Sequence, residues 1–184
     1  MGELAFPSPP LGDAVVALRP WRETDVPALL DAFSDPWFQR FSDWAPETET
    51  AAHSYLALSE RARRRGEQIE FAVVEPGTHG VVLGGSSLSN VNAEQGRAAV
   101  GYWLAPHARG RGVATRAVQL IARWAFDEVG VARLELTCGP DNLASQRVAE
   151  RCGFTREGLL RSHVPSKGGR RDTVLFGLLG SDLR

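Results

Sequence analysis

Cysteine occurs only at Cys138 and Cys152 in 184 residues. Two are too few for a disulfide framework, and neither lies in a CxxC or Cys/His metal spacing. Thiols this sparse suit a reducing, cytoplasmic setting. Lysine is rarer still: Lys167 is the single one, and the remaining strong base is arginine. Charge of one sign is missing too, since 21 basic against 22 acidic residues leave a net charge of −1. Without a one-signed field, binding to nucleic acid or to an anionic membrane surface is not expected. No apolar run approaches the ~20 residues needed to span a bilayer. The opening residues carry Glu3 and the prolines Pro7, Pro9 and Pro10, with no basic start ahead of an apolar stretch, so no signal peptide is expected.

What remains is an ordinary globular composition, 43% hydrophobic and 23% charged. The length suits a single domain over residues 1–184, with residues 1–12 as a loose lead-in. Val15 to Leu18 reads as a strand, and Thr24-Asp25-Val26-Pro27 opens a helix that Asp35-Pro36 stops. An aromatic stretch, Trp37, Phe38, Phe41 and Trp44, follows and reads as packing under a loop. Thr48 or Thr50 caps a second helix, which ends in Arg63-Arg64-Arg65-Gly66. Three strands follow over Ile69–Val74, Val81–Leu88 and Ala98–Leu104, in antiparallel order, with a bend or bulge at Gly84-Gly85. Val113 to Val129 carries apolar residues at helical spacing, and Gly130 ends it. Leu134–Cys138 reads as a strand, Asn142–Cys152 as a short helix, and Phe154–Leu160 and Thr173–Leu179 as two last strands. A polar loop, Pro165 to Arg171, joins that last pair. The class is mixed α+β.

The chemistry centres on Arg109-Gly110-Arg111-Gly112-Val113-Ala114, between a strand and a helix. Glycines there let successive backbone N–H groups face one concavity, and the first turn of the helix adds unpaired donors and the positive end of its dipole. Such a loop suits a phosphate or pyrophosphate, with Arg109 and Arg111 at its rim. A Walker loop is excluded because its lysine is missing, and a dinucleotide fingerprint because Thr115 stands where a third glycine or alanine belongs.

On these residues the chain resembles the GCN5-related N-acetyltransferases, or GNAT superfamily. Arg109, Gly112 and Ala114 match the family's Gln/Arg-x-x-Gly-x-Gly/Ala motif. Gly101-Tyr102-Trp103-Leu104 with Pro106 resembles the strand that splays from its neighbour in that fold. Asn142-Leu143-Ala144-Ser145, Cys152-Gly153-Phe154 and Glu157-Gly158 are similar to the signature of the ribosomal-protein (RimJ/RimL-type) branch. The resemblance covers about Val15 to Leu179. It implies a mostly antiparallel twisted sheet, splayed between two middle strands and flanked by helices. It implies acetyl-coenzyme A as co-substrate with no metal, and direct attack by a primary amine. Backbone amides near Leu104 and Ala105 would polarise the acetyl carbonyl, and those of Arg109, Gly110, Arg111, Gly112, Val113 and Ala114 would hold the pyrophosphate. Asn142 would bond the pantetheine arm, and Ser145 would be the catalytic proton donor to sulfur. Trp37, Phe41, Asn90 and Tyr102 would line the acceptor site.

The proton acceptor is the point of departure. Related chains often carry a glutamate ahead of Gly-Tyr-Trp, where this chain has Ala98-Ala99-Val100. Glu70, Glu135, Glu157 and His163 remain as candidates. A protein α-amine, with a reference pKa of ~7.7–8.0, needs less help than a lysine at ~10.4, which favours an N-terminal acceptor. The alternatives are a small-molecule amine, such as a polyamine or antibiotic, and a coenzyme-A-binding module of little activity. Monomer and homodimer both stay open.

Overall fold

The computed structural model describes residues 2–42, 46–77 and 80–183. Among them, seven strands form one sheet in the order β1-β2-β3-β4-β5-β7-β6. They are β1 (Ala17–Arg19), β2 (Ile69–Val74), β3 (Val82–Asn92), β4 (Arg97–Leu104), β5 (Arg133–Cys138), β6 (Thr155–Ser166) and β7 (Gly169–Leu179). Five α-helices accompany them: α1 (Val26–Ser34), α2 (Pro36–Phe41), α3 (Glu49–Arg64), α4 (Val113–Trp124) and α5 (Leu143–Arg151). All pairings are antiparallel except β4 with β5, which is parallel. No helix among the described residues is long and apolar enough to cross a membrane.

Strand alternation gives the sheet two different faces. Ile69, Phe71, Leu88, Val100, Leu134, Phe176 and Leu178 pack with α4 in the main core. Ala72, Val74, Trp103 and the residues in phase with them lie on the opposite face, where α1 and α3 pack. Trp103 lies flat across β3 because position 85 is glycine: a Cβ there would stand 2.5 Å from the indole Nε1. The ring stacks on Trp21 with centroids 5.9 Å apart. The bend expected at Gly84-Gly85 is a bulge beside Gly84, where Val73 pairs with Gly84 but Val74 with Val82.

Several elements differ from the sequence reading, each for a local reason. The Asp13 carboxylate accepts the amides of Val15 (2.7 Å) and Val16 (2.9 Å), so this Asx turn delays β1 to Ala17. Asp25 organises the entry to α1, accepting the Arg22 amide at 2.8 Å and the Arg19 guanidinium at 2.7 Å. The lead-in is anchored at Leu4 and Phe6 rather than loose there. Leu4 is buried in the core, its amide bonds the Arg63 carbonyl at 3.1 Å, and Phe6 packs edge-on against Phe71. Arg63 accordingly belongs to this anchor, bonding Glu60 and the Leu4 carbonyl, rather than to a free solvated face. Trp37, Phe38 and Phe41 lie on a helix, α2, because the Asp35 side chain that ends α1 also caps the next turn through the Phe38 amide at 3.0 Å. Trp44 lies outside the described residues. The expected loop at Pro165–Arg171 is the end of a long hairpin, in which β6 and β7 continue to Ser166 and Gly169. Lys167 and Gly168, both with positive φ, make the turn.

Candidate active site

The parallel pairing of β4 with β5 lasts for three register positions, Arg97 with Arg133 to Ala99 with Glu135. Beyond Ala99 the two strands diverge, and a cleft of about 740 Å³ opens at the gap. On the other edge of β4 the ladder continues. The Ala105 amide donates to the Leu83 carbonyl at 2.9 Å. Antiparallel hydrogen bonding alternates residue by residue, so the amides of Tyr102 and Leu104 turn to the unpaired side, towards β5. Of the expected carbonyl-polarising pair, Leu104 therefore presents its N–H to the gap, whereas the Ala105 N–H is used inside the sheet.

Below the gap the chain passes through Gly110 and Gly112, with φ of 73° and 75°. An added Cβ would touch nothing within 4 Å at either position, so glycine is needed for its backbone conformation rather than for space. Gly112 is the N-cap of α4, and no side chain caps that helix. Val113 and Ala114, in its first turn, line the cleft. Arg109 lines it too, but its guanidinium bonds Asp35 at 2.6 Å and the Leu104 carbonyl at 3.2 Å. Arg111 faces away to Glu75, 3.2 Å distant. The positive rim expected from these two arginines is thus already matched by carboxylates. Arg147 and Arg151 on α5 also line the cleft and have no carboxylate partner among the described residues, a contribution not foreseen from the sequence.

On this same side of the sheet stands a polar cluster around Ser145. Asn142 caps α5 by accepting the Ser145 amide at 3.1 Å, which fixes the first turn. The Tyr102 hydroxyl donates to Ser145 Oγ at 3.0 Å. Tyr102 therefore sits beside Ser145, in phase with Val100. Burial is the main cause that pushes the Tyr102 hydroxyl up to about 12, so it stays protonated and able to donate. Burial likewise pushes up the thiol of Cys138, which neighbours Ser145 and also lines the cleft. Composition alone suggests only a packed cysteine there.

The opposite side is furnished differently. Phe38 packs on Phe33 with centroids 4.4 Å apart, while Trp37 and Phe41 meet edge-on at 5.2 Å and line the cleft with it. Asn90 does not reach the cleft wall; it lies far along β3 with a φ of 50°, next to the register shift before the turn. Of the four proton-acceptor candidates, only Glu70 opens into the cleft. Glu135 and Glu157 are held by Arg133, and the same guanidinium keeps the Glu157 carboxyl below its usual range. His163 Nδ1 pairs with Thr173 Oγ1 at 2.8 Å. Glu70 accepts hydrogen bonds from the Tyr55 hydroxyl and the Gln68 amide. Burial nevertheless raises its carboxyl above the ordinary value, against those two bonds. Across the sheet it faces Ser87 and then Gly101, whose missing side chain keeps the approach open. No group of acidic, histidine and cysteine side chains among the described residues could hold a metal ion.

The comparisons with known proteins agree with this geometry. The family model described as the acetyltransferase (GNAT) domain matches residues 16–155. An N-acetyltransferase named p20 from Bacillus licheniformis is 28% identical over 165 residues, 89% of this chain and 92% of that protein. RimJ from Mycobacterium smegmatis, solved in complex with a coenzyme A disulfide, superposes with a TM-score of 0.79 at 26% identity, covering 92% of this chain and 84% of that one. RimL, a ribosomal-protein alpha-N acetyltransferase solved with coenzyme A, reaches a TM-score of 0.82 at 22% identity, over 91% and 95% of the two chains.

Proposed function

The chain belongs to the GNAT family of acetyl-coenzyme-A-dependent N-acetyltransferases, and on that premise we propose that its acceptor is the α-amine of a protein N-terminus. The observation that carries the proposal is the gap between β4 and β5. Ser145 and Tyr102 stand on one side of it and the Glu70 carboxylate on the other. An acyl thioester lying along the gap is attacked from the Glu70 side and loses its sulfur towards Ser145.

The pyrophosphate of acetyl-coenzyme A takes the amides of Gly110 to Ala114 and the positive end of α4. Asn142, whose Oδ1 is spent on the cap, offers its amide NH2 to the pantetheine arm. The acetyl oxygen accepts the Leu104 N–H, which becomes stronger as negative charge gathers on that oxygen. The amine nitrogen bonds to the carbonyl carbon and gives up one proton to Glu70, directly or through water. The tetrahedral centre then collapses, the carbon–sulfur bond breaks, and the sulfur takes the Ser145 proton, which is restored to Ser145 through the hydrogen-bonded Tyr102 hydroxyl and solvent as Glu70 releases its own. A carboxylate raised by burial is a better match to an α-amine than to a lysine side chain, because proton transfer is most efficient between groups of similar pKa.

The test is a thiol-release assay with acetyl-coenzyme A and an amine panel: peptides with a free α-amine, a lysine peptide blocked at its N-terminus, spermidine and an aminoglycoside. Turnover concentrated on the free α-amines is expected. Turnover confined to the polyamine or antibiotic overturns the acceptor assignment. Coenzyme A binding without turnover of any amine overturns the catalytic reading.

A further inference from the structure

Arg171 lies on β7, out of phase with Val174, Phe176 and Leu178, whose side chains enter the main core. Its side chain therefore belongs to the face of Trp103 and Glu70, the side from which the amine approaches, and it lines the cleft. The Arg171 guanidinium has one hydrogen-bonded partner, the Phe41 carbonyl at the end of α2. Its Nε is buried with no partner among the described residues, the single side-chain nitrogen or oxygen in that condition. No carboxylate among the described residues is paired with it, whereas Arg109, the cation near the other end of α2, is matched by Asp35. A buried donor without an acceptor costs stability, and the cost is recovered when a ligand supplies the missing acceptor.

We propose that Arg171 is a recognition point for a carboxylate on the acceptor, so that the preferred substrate is a peptide with an acidic group close to its reactive amine. The proposal rests on the amine-acetylating reading above and narrows its substrate class. Guanidinium geometry favours this ligand, because two parallel N–H groups match a carboxylate in bidentate fashion. The phosphates of the donor are not the ligand: they belong to the opposite face, where the amides of α4 and the arginines of α5 lie. With Glu70 on the same side of the sheet, the acceptor site carries one fixed negative and one fixed positive group. It is thus suited to an acceptor bearing an ammonium and a carboxylate.

The test compares matched peptides with the complete enzyme at low ionic strength. One has Asp or Glu at its second or third residue, its control has Asn or Gln there, and each is made with a free and with an amidated C-terminus. Wild type is expected to favour the acidic side chain by about ten- to a hundredfold in kcat/KM, the range of a charge-assisted hydrogen bond. R171Q is expected to abolish the preference, mainly through KM, while R171K keeps part of it. If the preference follows the free C-terminus instead, the ligand is the α-carboxylate of a short peptide, and the side-chain form of the proposal falls. If Arg171 merely holds α2, R171Q slows acidic and neutral peptides equally, and the proposal is overturned while acetyl transfer stands. Should no amine turn over, calorimetry of both peptides on the coenzyme-A-loaded protein reads the preference without catalysis. Equal heats and affinities there overturn it.

Discussion

On the side of α4 and α5, the cleft is furnished mostly by backbone: the amides after Gly110 and Gly112, the uncapped first turn of α4 and the Asn142 cap over Ser145. On the side of α1 to α3 it is furnished by side chains from distant elements: Glu70 from β2, Phe38 and Phe41 from α2, Trp103 from β4 and Arg171 from β7. A backbone site is written in a few consecutive residues, because positive φ and helix caps are local properties. A side-chain site depends on strand phase and on which segments meet across the sheet. One half of the cleft is accordingly suited to a constant ligand, and the other can change its selectivity by single substitutions.

Four experiments press on that contrast. The largest effect is expected from Ser145→Ala, which lowers kcat by about 10²–10⁴-fold, as for loss of a general acid, while coenzyme A affinity measured by calorimetry changes little. A parallel loss of affinity removes Ser145 from its role. Glu70→Gln strikes the other half and lowers kcat/KM by about a hundredfold. The same change raises Tm at neutral pH, because a carboxylate whose pKa is raised by burial destabilises the fold once it ionises. This thermal advantage shrinks as pH falls through the raised value and is gone below the ordinary 4.5, where Glu70 is protonated folded or unfolded. A Tm unchanged at all pH values contradicts the raised carboxyl.

Gly112→Ala places a Cβ on a left-handed residue, at about 1–2 kcal/mol, and weakens coenzyme A about tenfold, with the acceptor KM preserved. An acceptor KM that moves equally would erase the division between the halves. The smallest change is expected from Asp35→Asn, which weakens the α2 cap and the Arg109 pair and lowers Tm at pH 7 by about 2–4 °C. The Arg109 hydrogen bond holds the Asp35 carboxyl below its usual 3.8, so its contribution is present above that value and is lost as pH falls below it. The melting difference from Asn should therefore close in acid.

The contrast also explains what could be read from the residue order. The strands β2 and β4, the helix α4 and the cap of α5 were all legible, because each is announced by local periodicity, a glycine or an Asx residue. Gly112 and Asn142 are the N-caps of α4 and α5. The contact of Tyr102 with Ser145 is not legible from Gly-Tyr-Trp itself, because phase across a splayed strand is fixed by Val100 and by its partner strands. The far end of the β6–β7 hairpin, Pro165 to Arg171, reads as a loop since its polar residues follow no alternation when an edge strand is exposed on both faces. Arg171 was lost with it. Glu70 can be named as one candidate of several, but only the fold shows that it alone of the four lines the cleft.

The three-rung contact between β4 and β5 has a mechanical meaning. It joins β1–β4 to β5–β7 by a ladder shorter than the two that flank it, so this seam is expected to open more readily than they do. Hydrogen exchange should find the Tyr102 and Leu104 amides among the fastest in β4. On the proposed placement a thioester arm laid between the strands would stand in for the missing rungs, and saturation with coenzyme A is expected to slow those amides in step with a rise in melting temperature.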